Sequence, residues 1–176
     1  MVLISLFTAV LCAVSPFSIA IGPVPLSLTT LVIYLASGTL DVKSGIISVF
    51  LYILLGAVGL PVFSGFGGGF HKVAGVTGGF IIGYVPLAAC VGLFFKVFEK
   101  KRLYYLFGMV IGTILLYTCG VMWFMFQTKT SLAAAFLMCV TPFLIGDAAK
   151  IIVALIVAPK LRAAVANHKS QVTNHK

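Results

Sequence analysis

Apolar runs long enough to cross a lipid bilayer recur along this chain, and the last of them, IGDAAKIIVALIVAP at residues 145–159, carries two opposite charges, Asp147 and Lys150. About 20 apolar residues in a helix match the roughly 30 Å hydrocarbon layer. In that layer every backbone polar group needs an internal partner. Recurrent helix-length runs therefore restrict the chain to a helical bundle, because a membrane barrel shows short alternating strands instead. Composition agrees. Of 176 residues, 61% are hydrophobic and 9% charged, and the mean hydropathy is +1.21. Soluble domains carry about 25% charged residues. The expected fold is an all-α integral membrane protein forming one domain over residues 1–176, with no room for a soluble catalytic domain.

The charged pair is the strongest local signal. A charge at the bilayer centre costs about 2.5–3.5 kcal/mol on the lenient insertion scale. Residues three apart share a helical face, so Asp147 and Lys150 can reach each other or one bound molecule. They could fix packing between helices, or they could form a binding site. Intramembrane ionisable residues default to function. Asp147 offers two acceptor oxygens and Lys150 a cationic donor. Together they suit a polar ring with N–H and C=O groups, or a carboxylate.

Six spans are expected, over residues 2–21, 28–40, 45–60, 78–97, 103–126 and 142–163, with a basic tail at 164–176. The prolines of GPVPLS break the chain between the first two. The second span is short, so part of that loop belongs at membrane depth. The N-terminal run lacks a basic region and a clear cleavage site, and reads as a retained helix. Thr141 and Pro142 suit an N-cap and first helical position. They predict a break that leaves residues 131–140 as a short interfacial or re-entrant helix.

Lysine and arginine set the orientation. Lys43, Lys96, Lys100, Lys101, Arg102, Lys160, Arg162, Lys169 and Lys176 fall on one side, and Lys72 and Lys129 on the other. Both termini are thus expected in the cytoplasm of a cell-membrane protein. Asp147 then lies roughly 7 Å from the start of its helix, in the outer half of the membrane. The net charge of +9 follows this bias and is no nucleic-acid footprint. The run KVFEKKR is a topology-setting loop near anionic lipid.

Several features exclude other classes. GFGGGF at 65–70 lacks the Gly-Lys-Ser/Thr of a phosphate loop. No Ser-His-Asp or Cys-His set and no paired carboxylates support an enzyme. No internal repeat supports a self-sufficient carrier or channel. Cys12, Cys90, Cys119 and Cys139 read as small buried hydrophobes, and His71, His168 and His175 have no metal spacing. No cofactor or metal is expected. Phe63, Phe66 and Phe70 could wall or lid a site, or simply anchor their loop. Thr77 fits an N-cap, and Gly78 and Gly79 would let a ligand, or a neighbouring helix, touch the helix start. Ala9 and Ala13 form a small-xxx-small pair that admits another helix. Tyr117 and Trp123 could line a cavity or fill helix contacts.

Four segments together resemble the BioY family, the biotin-specific S components of energy-coupling factor (ECF) transporters. They are GPVPLSL at 22–28, LGAVGLPVFSGFGGGF at 55–70, GVTGGFIIGY at 75–84 and TPFLIGDAAK at 141–150. The resemblance implies a six-helix S-component bundle that binds biotin near the outer face. It implies a scaffold membrane subunit and two ATPase subunits as partners, and reorientation of the whole S component in the lipid. It assigns Asp147 and Lys150 to the biotin site and Ala9 and Ala13 to the scaffold contact. It makes the loop around Val24 and Leu26 a lid. The aromatic and glycine surfaces at Phe63, Phe66, Thr77, Gly78, Gly79 and Tyr84 would cover the ring. The chain departs from the family pattern at Val76, where proline is expected. It also departs at Pro25-Leu26-Ser27-Leu28-Thr29, which lacks a glutamine, and in having no arginine in the spans before Arg102.

Overall fold

The computed structural model describes residues 1–20, 23–98 and 102–174. Ile21, Gly22, Lys100, Lys101, His175 and Lys176 lie outside the described residues, as do the side chains of Arg102, His168 and Lys169. Helix α1 covers Val2–Val14. It stops seven residues short of the span expected to reach Ile21, because Pro16 has no N–H with which to continue the ladder. The chain turns instead into a small antiparallel hairpin, β1 (Ser18–Ala20) and β2 (Pro25–Ser27), with Ser18 opposite Ser27 and Ile19 opposite Leu26. The second half of the expected first span is therefore strand, not helix.

Helix α2 (Thr29–Thr39) is buried on almost every face. Its 11 residues cover only about 16 Å, so the hairpin above its N-terminus continues the layer. Helix α3 (Val42–Val58) ends at Gly59, whose φ of +122° suits glycine. There the Gly59 N–H donates to Gly56 O and the Leu60 N–H to Leu55 O. The one-and-a-half-turn α4 (Phe70–Ala74) follows. Helices α5 (Gly78–Val97) and α6 (Arg102–Thr128) form the longest packed pair. Near the Lys96 end, Phe95 stacks on Tyr105 with centroids 3.9 Å apart. Arg162 also donates to Phe95 O at 2.9 Å, tying the last helix to α5.

The break at residues 141–142 is present. Helix α7 (Leu132–Cys139) is followed by a single 3-10 turn over Thr141–Phe143 and then α8 (Leu144–Asn174). Ser131 caps α7 by accepting from the Ala134 N–H. Two details differ from expectation. Val140, not Thr141, is the cap residue of the turn. Helix α8 runs through Pro159 to Asn174, well past the expected end near residue 163. Thr77 does occupy the N-cap of α5, yet its side chain makes no capping bond.

Among the described residues, seven α-helices of eight or more residues stand where six spans were expected. Gly78–Val97, Leu103–Thr128 and the continuous stretch Leu132–Ala166 are long and apolar enough to cross a bilayer, whereas α1, α2 and α3 are shorter apolar helices. The outer surface is apolar, with Phe126, Ile145 and Val58 at least 80% exposed, as a lipid-facing bundle requires. Helix α2 packs against α3, α5 and α8 at the centre, and α1 lies against α3.

Glycines set how closely the helices approach. A Cβ on Gly79 would fall 2.3 Å from Trp123 Cβ, and one on Gly56 would fall 2.2 Å from Phe63 Cζ. Trp123 fills the space before Gly79 and donates from Nε1 to Gly75 O at 2.9 Å. It is therefore a helix-packing residue. The Gly79→Ala variant is expected to lose about 1–3 kcal/mol of stability by overpacking. The check is the thermal unfolding midpoint in detergent, where an unchanged midpoint would contradict this contact.

Candidate functional site

The site forms where the N-terminal turn of α8 meets α2 and α6 beneath the hairpin. Asp147 lies in the first turn of α8, where unpaired backbone N–H groups and the helix dipole favour a carboxylate. Lys150, one turn on, donates to Asp147 Oδ1 at 2.8 Å. Thr30 on α2 bridges the pair. Its hydroxyl donates to Asp147 Oδ1 at 3.4 Å and accepts from Lys150 Nζ at 3.1 Å. Tyr117 on α6 donates to Asp147 Oδ2 at 2.5 Å. Both charged residues are deeply buried, at 5% and 7% exposure. Three helices thus converge on one carboxylate.

A narrow chamber of about 40 Å³ adjoins this network, lined on its polar side by Asp147, Lys150, Thr30 and Tyr117. A second chamber of about 120 Å³ lies beside it, walled by Tyr52, Phe63, Ser64, Lys72, Thr77 and Ile81. Val24, Pro25, Phe80 and Tyr84 line both. Val24 and Pro25, at the start of β2, therefore border the two together, with Tyr84 and Phe80 on the shared wall. Phe143, delivered by the 3-10 turn, completes the first chamber.

The hairpin is latched from outside. The Gly65 N–H donates to Pro16 O at 3.0 Å, and Phe17 meets Phe66 edge to face with centroids 5.4 Å apart. Phe66 is 61% exposed and has left-handed backbone, with φ of +55°. It borders an outer groove with Leu26 and Lys150 and lines neither chamber. Leu26 faces Gly146 from that outer side.

Of the residues singled out from sequence, Asp147, Lys150, Tyr84, Val24, Phe63 and Thr77 come together around the two chambers. Phe66 and Leu26 form the outer latch and groove. Gly78 and Gly79 sit against Val73 O and Trp123 and line neither chamber. Ala9 and Ala13 are exposed on α1. Thr30, Phe80, Tyr52 and Phe143 escaped the sequence reading. Thr30 had one visible signal, a hydroxyl beside Thr29 at the start of an apolar span. The others were ordinary aromatics until the packing was known.

The sequence matches the BioY family over residues 1–167. A protein named probable biotin transporter BioY, from Pyrococcus horikoshii, is 36% identical over 160 residues, covering 91% of this chain and 94% of that one. The biotin transporter BioY of Thermotoga maritima is 34% identical over 162 residues, covering 89% and 92%. The crystal structure of the S-component for biotin from an ECF-type ABC transporter superposes with a TM-score of 0.83 at 27% identity, over 91% of this chain and 88% of that one. On the extent of the family match and on the first two relatives, this chain belongs to the BioY family.

Proposed function

We propose that this chain is the biotin-capturing S component of an ECF-type vitamin transporter, a transport subunit and not an enzyme. The observation that carries the reading is the buried Asp147–Lys150 pair beneath a latched hairpin, in a member of the BioY family. Biotin's ureido ring offers two N–H donors and one strong acceptor. Asp147 accepts a ureido N–H, and Lys150 donates to the ureido oxygen. Phe80 and Tyr84 cover the compact, partly apolar ring, with Phe63 on the far wall.

The chambers are smaller than the roughly 300 Å³ of an ordinary ligand pocket. Asp147 also borders a cavity of about 530 Å³ between α6, α7 and α8; entry from the hairpin side lifts the hairpin, with Val24 and Pro25 as its inner face and the Phe17–Phe66 contact as its clasp. The excess of lysine and arginine on one side supports cytoplasmic termini and a site facing outward. The exposed small pair Ala9 and Ala13 offers close approach to a scaffold membrane subunit. Two ATPase subunits bound to that scaffold supply the energy, and the lipid bilayer is the medium in which the S component reorients.

Titration with biotin in detergent tests the site. Asp147→Asn and Lys150→Ala should each weaken binding roughly tenfold or more, the loss of one charge-assisted hydrogen bond. Wild-type affinity in both variants would remove the pair from the site. Phe66→Ala should speed biotin release by roughly twofold to tenfold, because an aromatic pair is worth about 0.5–1.5 kcal/mol. An unaltered dissociation rate by stopped-flow would show that the clasp is not part of the lid. Radiolabelled biotin uptake should appear only when scaffold and ATPase subunits are co-expressed. Uptake by the isolated chain would point to a self-sufficient carrier.

A further inference from the structure

The two chambers differ in charge. Asp147 and Lys150 neutralise each other across 2.8 Å, so their chamber presents hydrogen-bonding groups without net charge. The neighbouring chamber holds Lys72, half-buried in its wall, with the hydroxyl residues Ser64 and Thr77 on the same cavity. The chain has three carboxylate side chains, Asp41, Glu99 and Asp147. Asp147 is engaged by Lys150. Asp41 precedes α3, whose far end lies near Lys72, about 25 Å away along that helix. Glu99 lies outside the described residues. Among the described residues, the Lys150–Asp147 bridge is the only ion pair. Lys72 is thus a cation on the cavity wall without a carboxylate partner among them.

Local structure aims Lys72 at this cavity. Phe63 and Gly67 exchange backbone hydrogen bonds at 2.9 and 3.2 Å, which folds the glycine-rich loop back on itself. The Lys72 stem then lies across Gly67, where a Cβ would come 2.6 Å from Lys72 Cε. The missing side chain at residue 67 gives the lysine its course.

We propose that Lys72 is the residue that recognises the ligand's free carboxylate. The proposal rests on the biotin reading above and adds an orientation to it. The uncharged ureido ring lies in the neutral chamber at Asp147 and Lys150. The acyl tail passes Phe80 and Tyr84, and its carboxylate meets the Lys72 ammonium, with Ser64 and Thr77 as further donors. A neutral pair for the neutral ring and a lone cation for the anionic tail leaves each end of the molecule matched in charge.

Calorimetric titration of the full chain in detergent, with biotin and with biotin amide, tests this orientation. The amide keeps the ring and removes the negative charge. The wild-type protein should prefer biotin. Lys72→Met should weaken biotin roughly tenfold to hundredfold while leaving the amide's affinity unchanged, so that the preference disappears. Lys72→Arg should retain the preference, and Asp147→Asn should weaken both ligands alike. A Lys72→Met protein that still prefers biotin overturns the assignment and leaves the Asp147 reading intact. Equal loss of both ligands in Lys72→Met also overturns it, because a carboxylate contact predicts selective loss. A wild-type protein that binds neither ligand overturns the biotin reading itself.

Discussion

The ion pair between Asp147 and Lys150 governs the upper part of this bundle. Two charges withdrawn from water have several kcal/mol of hydration to recover each, and mutual attraction alone seldom suffices. Here Thr30 and Tyr117 satisfy the remaining positions of the carboxylate, and the first turn of α8 adds its dipole. These partners come from α2, α6 and α8. Satisfying one buried charge therefore fixes the relative positions of three helices. It also leaves one face of the pair turned to a chamber.

Around that pair, packing is governed by glycine beside aromatic rings. Gly56 receives Phe63, Gly79 receives Trp123 and Gly120 receives Phe80. Without a hydrophobic driving force between helices in lipid, close van der Waals contact carries more of the association. Rings set against bare backbone supply it. The same contacts shape the site, because Phe63 and Phe80 present their other faces to the chambers. Helix packing and chamber walls are therefore one set of side chains.

Much of this was legible in the chain. The charged pair, the break before Pro142 and the span over 78–97 follow from hydropathy and helix-stop chemistry, since those signals act within a turn or two. The hairpin was not legible. Residues 17–21 are as apolar as the helix before them, and only Pro16 marks the change. The reach of α8 past residue 163 was missed because the polar, basic residues from 164 on read as a tail beyond the span, though the observed helix continues through them to Asn174. Gly78 and Gly79 looked equally suited to a ligand or a helix, and the sequence did not show that Trp123 packs against them. Phe143 reaches the site through tertiary contacts that no local pattern encodes.

The departures from the family pattern fall into two physical kinds. Val76 is 40% exposed and lines neither chamber, so exchanging proline for valine there alters a surface turn. Thr29, at the place of the missing glutamine, is fully buried, and its hydroxyl lies 2.8 Å from Ser27 Oγ. A short hydroxyl there closes a local pair with the hairpin, where a longer amide could extend toward the cavity. Ser27 itself lines the Asp147 chamber. Hydroxyls tied to one another at the foot of the hairpin thus border this chamber. With no arginine in the spans before Arg102, long-range charge in the cavity is left to lysines. In a chain built this way the two kinds of polar group lie apart: the neutralised pair at the start of α8, and the Lys72 ammonium beside the glycine-rich loop.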